Sequence, residues 1–249
     1  MTPVLSVRGL DKRFGAVVAA DAPSIDIAPG QKVSLIGANG AGKTTFVNMV
    51  TGYLKPDRGS IELDGIDIGR GSPRSVARLG ISRSFQIPQL FIDLTAAENL
   101  TVAVSGANAG ALSLHSPAEA HGRHDKAAEL LGRFGLAHLA DRPVSELAGG
   151  VRKLVDIAMA LVRRPKLLLL DEPTSGVSAE EKFITMDRVI HAVAPDAATI
   201  VFVEHDMDIV SRYADRVVAF YSGRIIADGN PNDVLRDTEV RRYVTGGAR

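Results

Sequence analysis

The sequence contains no cysteine among its 249 residues, which excludes a disulfide scaffold, a thiol nucleophile and any cysteine-ligated metal site. It has no excess of charge, because 29 Lys and Arg residues balance 29 Asp and Glu residues. Proteins that bind nucleic acid usually carry a basic excess, so we expect no nucleic-acid partner. There is also no apolar run of the roughly 18 to 20 residues that a membrane-spanning helix needs. We therefore expect a soluble chain that reaches a membrane only through partner proteins.

The composition is that of a globular protein, with 45% hydrophobic and 23% charged residues. Segments rich in β-branched and aliphatic residues recur and end at Gly, Pro, Asp or Asn, as strands do. The alternation of such segments with helical patterns predicts an α/β fold with a parallel core sheet. Strands are predicted at Ser24–Ile27, Lys32–Gly37, Ser60–Gly65 (antiparallel), Lys166–Leu170, Thr199–Glu204, Arg216–Phe220 and Arg224–Ala227, and helices at Thr44–Val50, Asp125–Phe134 and Val151–Val162.

Helical signals dominate the middle of the chain, where Ala, Leu and charged residues recur at helical spacing. We predict one domain over residues 1–249, with a core that includes an antiparallel β portion (1–93 and 164–249) and an inserted helical subdomain (94–163). Within the insertion, Ser105–Ser116 is rich in Gly, Ala and Ser, which predicts a mobile surface loop. Histidines of this region fit solvated side chains better than a metal site: His115, His121 and His124, beside Asp125.

A glycine-rich segment follows the predicted strand Lys32–Gly37 and opens the predicted helix Thr44–Val50. It matches G-x-x-x-x-G-K-[ST], the pattern of a loop that wraps around phosphate groups. Glycine lets the backbone approach phosphates closely, and the helix N-terminus adds positive potential. Lys43 is predicted to reach the β- and γ-phosphates of ATP, and Thr44 to hold Mg²⁺ through its hydroxyl. The residues predicted to bind the nucleotide here are Gly37, Asn39, Gly40, Ala41, Gly42, Lys43, Thr44 and Thr45.

Two adjacent carboxylates, Asp171 and Glu172, follow the predicted strand Lys166–Leu170. In open α/β sheets, ligands lie at this end of the strands. Adjacent residues of a strand point to opposite sides, so the two acids can perform different tasks. We expect Asp171 to enter the Mg²⁺ shell and Glu172 to polarise the water that attacks the γ-phosphate.

Further motifs narrow the class of NTPase. Leu147-Ala-Gly-Gly-Val151 resembles the L-S-G-G-Q signature of ABC ATPases, Gln86 resembles the glutamine of their Q-loop, and His205 resembles their switch histidine. Phe14 stands where that family places an aromatic ring against adenine. These motifs occur in the family's order across nearly the whole chain. The resemblance implies a P-loop NTPase of the ABC ATPase type, with an antiparallel β subdomain and an inserted helical subdomain.

The same resemblance implies a role for each matched residue. The implied catalytic residues are Lys43, Glu172 and His205; the implied Mg²⁺ ligands are Thr44, Gln86 and Asp171; and the implied nucleotide contacts outside the phosphate loop are Phe14, Gln86, Ala148, Gly149 and Gly150. In the family, the signature residues contact ATP held by an opposite subunit. The implied cofactors are therefore ATP and Mg²⁺, shared by a homo- or heterodimer.

Three longer segments resemble the ATPase subunits of importers for branched-chain amino acids and their amide or urea relatives: Phe85–Phe91, Leu94–Leu100 and Val203–Met207. This resemblance implies ATP hydrolysis coupled to transport through two separate membrane permease subunits. An extracytoplasmic solute-binding protein would take part indirectly. The implied location is peripheral, on the cytoplasmic face of the cell inner membrane.

Some positions depart from the family pattern. Ala148 replaces the signature serine, Val151 replaces the signature glutamine, and Ser178 stands where an aspartate is usual. Losing one hydrogen bond to a charged group costs about 1.5–3 kcal/mol. These changes keep open a regulatory, weakly hydrolysing ABC subunit. A soluble ABC protein of DNA repair or translation generally has two ATPase units or a coiled-coil insertion, and a small-molecule kinase would lack the signature and the switch histidine.

Several matched residues also fit a purely structural role. Phe14 fits a core residue as well as an adenine contact, and Gln86 fits an ordinary polar loop residue. Ile87, Leu90 and Phe91 fit either an apolar groove for a helix of a membrane subunit or burial inside the helical subdomain.

Overall fold

The computed structural model describes the backbone of residues 2–108 and 117–244 and the side chains of residues 2–107 and 122–244. The strands are β1 (Leu5–Phe14), β2 (Val17–Asp21), β3 (Ile25–Ile27), β4 (Lys32–Ile36), β5 (Arg58–Leu63), β6 (Ile66–Asp67), β7 (Ile81–Arg83), β8 (Leu167–Asp171), β9 (Thr199–Val203), β10 (Arg216–Tyr221) and β11 (Arg224–Gly229). The helices are α1 (Lys43–Val50), α2 (Pro73–Leu79), α3 (Ala96–Asn108), α4 (Pro117–Arg133), α5 (Gly149–Leu161), α6 (Lys182–Val193), α7 (Met207–Tyr213), α8 (Pro231–Val234) and α9 (Thr238–Tyr243). Short 3₁₀ turns cover Ala137–Leu139, Val144–Glu146 and Ala194–Asp196.

The larger sheet has the strand order β11-β10-β4-β9-β8-β7. Strands β10, β4, β9 and β8 are parallel, and β11 pairs with β10 in the antiparallel sense. Every residue of β8 and of β9 is buried, as expected for parallel strands covered on both faces. Because the strands are parallel, the loops after β4, β8 and β9 emerge at one edge of the sheet.

The smaller sheet is antiparallel, with the order β2-β1-β5-β6 and with β3 also paired to β1. Asp64 and Gly65 connect β5 to β6 with φ values of 48° and 77°. Positive φ at both central residues is the signature of the tight hairpin turns that match strand twist. The predicted antiparallel strand and its Asp-Gly turn are confirmed.

The chain divides into two compact units, each assembled from separate segments. Unit 1 consists of Met1–Ile81, Lys166–Glu172 and Ala198–Arg249, and unit 2 of Ser82–Pro165 and Pro173–Ala197.

Unit 1 has an apolar core that joins both sheets to α1. Leu10 of β1, Ile61 of β5, Leu35 of β4 and Phe46 of α1 are all at most 1% exposed within one cluster. The rings of Phe46 and Phe220 lie 5.5 Å apart between centroids. This packing fixes α1, and with it the glycine-rich loop, against the sheet.

Unit 2 is mainly helical, and its core lies among α3, α4, α5 and α6. Leu100, Leu131, Ile157 and Met186 represent these four helices in the core and are completely shielded from solvent. Among the described residues, no helix combines the length and the apolar character needed to cross a bilayer.

The predicted loop Ser105–Ser116 is wrong at its start, because α3 extends to Asn108. Helical contacts continue past the composition change: Val104 is 1% exposed, and the Ser105 hydroxyl donates to the Thr101 carbonyl at 2.8 Å. Residues 109–116 lie outside the described part of the chain, as do His115 and the side chain of His121, and His124 is exposed.

Candidate nucleotide site

The glycine-rich loop between β4 and α1 has a backbone that only glycine accommodates at two points. Gly42 has φ of 105°, and a Cβ atom there would lie 2.6 Å from the Ala19 carbonyl oxygen. Gly40 has φ of 80° and nothing within 4 Å of its Cβ position. One glycine is thus required for packing, and the other borders open space at the exposed tip formed by Ala38, Asn39 and Gly40.

Lys43 is the first residue of α1 and is buried, with 6% of its surface exposed. Its ammonium donates to the carbonyl oxygens of Gly37 at 2.6 Å and Ala38 at 3.1 Å. Burial lowers the pKa of Lys43, and the nearby carboxylates of Glu172 and Asp171 offset part of this change. Lys43 is therefore not an exposed surface lysine, because its ammonium is held inside the loop beside two carboxylates.

The acidic pair ends β8 at the same edge of the sheet as the loop. Asp171 is the last residue of the strand and is 9% exposed. Glu172 has φ of 48°, a left-handed conformation that is strained for a non-glycine residue, and its amide donates to the Val203 carbonyl at 3.0 Å. Its Oε1 lies 3.2 Å from the Nε2 of His205, which follows β9. Unit 1 therefore brings together Lys43, the acidic pair and His205.

Oxygen donors at this edge fit a magnesium ion bound with a nucleotide. Thr44 is exposed in the first turn of α1 and carries a hydroxyl, and Asp171 carries a nearly buried carboxylate. Mg²⁺ usually takes one or two protein oxygens, substrate phosphates and water. Within the described ranges, no group of three or more His, Cys, Asp or Glu side chains forms an all-protein metal cage. The donor set therefore suits a metal that arrives with phosphates.

Three other residues of unit 1 that are predicted to contact the nucleotide differ in their exposure to solvent. Phe14 ends β1 with 52% of its surface exposed and with the Lys12 ammonium 5.8 Å from its ring centroid. The alternative that Phe14 is a core residue is wrong. Ala41 is 5% exposed, and Thr45 is half-buried in α1.

Unit 2 contains the other predicted residues, Gln86, Ala148, Gly149 and Gly150. Gln86 and Gly149 line one cavity of about 390 Å³. The rest of its lining is Ile87, Pro88, Leu90, Ile92, Arg152, Lys153, Ser175 and Gly176. Ile87 is 74% exposed and Phe91 is 54% exposed, so the alternative that these residues are buried in the helical region is wrong.

Ala148 is the N-cap residue of α5, with extended backbone angles and no side-chain hydrogen bond to the first turn. A serine at such a position normally accepts a hydrogen bond from the second or third helical amide. The first turn of α5 begins at Gly149, and both Ala148 and Gly149 are exposed. The amides of this turn are therefore presented at the surface without a capping side chain.

Two charged residues of α5 were not predicted for the site. Lys153 donates to the carbonyl oxygens of Phe85 at 2.7 Å and Gln86 at 3.0 Å. Asp156 accepts from the amides of Phe85 and Gln89, each at 3.1 Å. Burial raises the pKa of Asp156, and these two amide hydrogen bonds oppose the change. The available signal was the presence of two charged residues, three apart, in a helix otherwise rich in apolar residues.

Fold and site together define an ATP-binding cassette, since a P-loop, an acidic strand end and a following histidine lie on one α/β sheet. The sequence profile described as "ABC transporter" matches residues 20–175. The chain belongs to the ABC transporter family.

The chain is 36% identical to the high-affinity branched-chain amino acid transport ATP-binding protein LivG of Escherichia coli K12, covering 99% of both chains. A solved ATP-binding cassette of an ABC transporter, MJ1267, superposes with a TM-score of 0.85 at 33% identity, covering 97% of this chain and 98% of that one. The ATP-binding cassette MJ0796, solved as a dimer in a post-hydrolysis state with ADP and phosphate, has a TM-score of 0.78 at 25% identity and coverage of 91% and 98%. The predicted fold class and family are confirmed.

Proposed function

We propose that this chain is the ATP-hydrolysing subunit of an importer for branched-chain or related amino acids. The observation that carries the ATPase part is the grouping of Lys43, Asp171, Glu172 and His205 around the loop that follows β4. The substrate class is supported by the similarity to LivG, which covers 99% of both chains.

In this proposal the phosphates of ATP lie along the glycine-rich loop, against its backbone amides and the N-terminus of α1. When ATP binds, the Lys43 ammonium leaves the carbonyl oxygens of Gly37 and Ala38 and contacts the β- and γ-phosphates. The neutral carbonyl acceptors are thereby replaced by charged phosphate oxygens, which form stronger hydrogen bonds. Phe14 lies exposed at the end of β1, where its ring can stack on adenine. Thr44 and Asp171 would hold Mg²⁺, which would supply positive charge to the phosphates during transfer. The assignment of Gln86 to the same ion stays a prediction from the family resemblance.

Glu172 is the proposed general base. Its carboxylate accepts a proton from the attacking water, whose oxygen bonds to the γ-phosphorus while the bond to the ADP oxygen breaks. His205, with Nε2 3.2 Å from Glu172 Oε1, orients this carboxylate and contacts the γ-phosphate. Glu172 has φ of 48° directly after β8, so its backbone departs from the extended conformation of the strand.

The signature residues Ala148, Gly149 and Gly150 complete the site of a second ATPase subunit in this proposal. Ala148 and Gly149 are exposed at the start of α5, which supports this role because first-turn amides are available to an anion there. The dimeric relative MJ0796 supports the general arrangement. The second subunit is either another copy of this chain or a related chain, and self-association of the purified chain with ATP distinguishes the two.

The membrane permease subunits are proposed to dock on the groove beside Gln86. Ile87, Leu90 and Ile92 give this cavity an apolar wall, and Arg152 gives it a charged rim. An amphipathic helix fits such a surface. The chain would then lie peripherally on the cytoplasmic face of the membrane, with a solute-binding protein acting on the far side.

The test is phosphate release from ATP by the purified chain, alone and together with its membrane subunits in lipid, beside a Glu172→Gln control. We expect turnover that rises with the membrane subunits and is lost in Glu172→Gln, while ATP binding remains. ATP binding without turnover in every mixture would favour a regulatory subunit, for which the absent hydroxyl at Ala148 is the supporting observation. Transfer of phosphate to a small molecule would overturn the proposal in favour of a kinase.

A further inference from the structure

A buried pair of opposite charges on α5 holds the backbone of the segment that carries Gln86. Asp156 is 6% exposed and Lys153 is 2% exposed, and both lie on one face of the helix because they are three residues apart. We call Lys153 and Asp156 the α5 clamp. Each member is deeply buried, and buried charges are stable only when paired and hydrogen-bonded.

The α5 clamp makes four hydrogen bonds to backbone groups of the segment 85–89. The two carboxylate oxygens of Asp156 have different donors: Oδ2 accepts from the Phe85 amide and Oδ1 from the Gln89 amide, at 3.1 Å each. The Lys153 ammonium donates to the carbonyl oxygens of Phe85 at 2.7 Å and Gln86 at 3.0 Å. The peptide groups on both sides of Gln86 are thus bound to α5 by charge-assisted hydrogen bonds.

Two consequences follow from this geometry. Fixing the peptide groups on either side of a residue fixes the direction of its Cα–Cβ bond, so the α5 clamp sets the direction in which the exposed Gln86 side chain leaves the backbone. Helix α5 also begins at Gly149, one turn before Lys153. Gln86 and the signature glycines are therefore held on one rigid element, and a displacement of either moves the other.

We propose that Lys153 and Asp156 are positioning residues that tie the Gln86 segment to the signature helix, so that a change at the second subunit's ATP is transmitted to the groove where a membrane subunit docks. This inference rests on the proposed function for the roles of Gln86 and the signature. The tie itself rests only on the contacts within unit 2.

The test compares Asp156→Ala and Asp156→Asn with the surface control Asp125→Asn, using the full chain with and without its membrane subunits. Amide hydrogen exchange measures the tie directly. We expect the Phe85 and Gln89 amides to exchange about tenfold faster or more in Asp156→Ala, the loss of one charge-assisted bond each. Asp156→Asn keeps one acceptor oxygen, so it should release one of the two amides. Exchange in α1 and α4 should not change.

Kinetics give the second readout. In the assembled complex we expect kcat of Asp156→Ala to fall about tenfold or more with KM for ATP unchanged, because the phosphate loop carries binding. Lys153→Met should likewise lower kcat and leave KM for ATP unchanged. Lys153→Arg should keep most of the activity, because an arginine can still donate to the carbonyl oxygens of Phe85 and Gln86.

The outcomes separate this inference from the proposed function. If amide exchange is faster throughout unit 2, and kcat falls only in proportion to the loss of folded protein, the pair merely stabilises the fold. That result would overturn the proposal. Unchanged exchange at Phe85 and Gln89 would also overturn it. If Asp156→Ala does not fold, Asp156→Asn decides by the same readouts. A wild-type complex without ATPase activity would defeat the proposed function, while hydrogen exchange would still decide whether the tie exists.

Discussion

Glu172 has a backbone conformation that is unfavourable for its residue type. Its φ of 48° lies in the left-handed region, which costs a non-glycine residue about 1–2 kcal/mol. The surrounding structure holds this angle, because the Glu172 amide donates to the Val203 carbonyl of the neighbouring strand. Strain of this kind persists where side-chain direction matters more than local stability.

We therefore predict that Glu172→Gly is more stable than Glu172→Ala. Both variants lose the carboxylate, but only glycine relieves the left-handed strain, and its larger unfolded-state entropy offsets part of the gain. We expect a difference of roughly 0.5–1 kcal/mol in the free energy of unfolding.

Urea denaturation of the two variants measures this difference, and neither should release phosphate from ATP. The same pair of substitutions at Asp125, an exposed residue within α4, provides the control, because there alanine should be the more stable variant. An alanine variant at 172 as stable as the glycine variant would contradict the strain argument.

At the scale of single elements, α3 begins with a complete capping box. The Thr95 hydroxyl accepts from the Glu98 amide at 3.2 Å, and the Glu98 carboxylate accepts from the Thr95 amide at 2.8 Å. The hydrogen bonds from Thr95 lower the pKa of Glu98. A lowered carboxyl pKa means that the ionised group stabilises the fold above the unfolded-state pKa, and that this stabilisation is lost as the pH falls through the lowered value.

We predict that Thr95→Ala lowers the free energy of unfolding by about 1 kcal/mol at neutral pH, the usual cost of removing a threonine N-cap. Glu98→Gln should be less stable than wild type at pH 7. The difference should begin to shrink as the pH falls below about 4.3, the ordinary glutamate pKa, and should disappear below the lowered pKa of Glu98. Denaturant titrations of both variants across this pH range measure the effect. A Glu98→Gln difference that stays constant with pH would show that the carboxylate charge does not act at this cap.

Some elements were predictable from local sequence, and others were not. Strand β8 was predicted within one residue because its four leucines are bounded by charged residues, and the loop before α1 was recognised by its glycines. Helix α3 was not predicted individually within the helical insertion, although Thr95 and Glu98 have the spacing of a capping box. Its last turn was mispredicted because the composition of Ser105–Ser116 suggested a loop. The α5 clamp was missed for a different reason. Its partners are backbone groups, which any sequence supplies, so no residue pattern at 85–89 points to it.

The position of Glu172 beside His205 belongs to the scale of the whole molecule. The two residues are far apart in the sequence and become neighbours because β8 pairs with β9. Local sequence patterns do not predict which strands pair. Strand order in a parallel sheet depends on crossover connections and on packing across many residues. The resemblance to ABC ATPases implied that Glu172 and His205 act at the same site, and the 3.2 Å distance between their side chains is consistent with this.

We predict that ATP drives self-association of the Glu172→Gln variant, which holds ATP without consuming it. Introducing Ala148→Ser in that background adds a hydroxyl toward the opposite subunit's phosphate and should tighten the dimer about tenfold or more. Ala148→Gly is the matched control, because glycine also suits an N-cap position but supplies no hydroxyl. Sedimentation velocity with and without ATP measures the dimer fraction.

Two outcomes would contradict this prediction in different ways. A dimer that is equally tight in Ala148→Ser and Ala148→Gly would remove the phosphate contact at this position. A chain that stays monomeric with ATP in all three variants would exclude the homodimer and favour a related chain as the second subunit.

The strand order of the larger sheet also governs how the protein is made. Strand β4 pairs with β9 and β10, and β10 begins 180 residues after β4 ends. At about 5–20 residues per second, a ribosome needs roughly 10 to 40 s to synthesise that interval. Until β9 is synthesised at residues 199–203, late in this interval, the apolar strand that carries the nucleotide loop has neither neighbour. The nascent chain therefore cannot assemble the nucleotide site until β9 and β10 have been synthesised, and we expect it to depend on chaperones that cover exposed apolar strands.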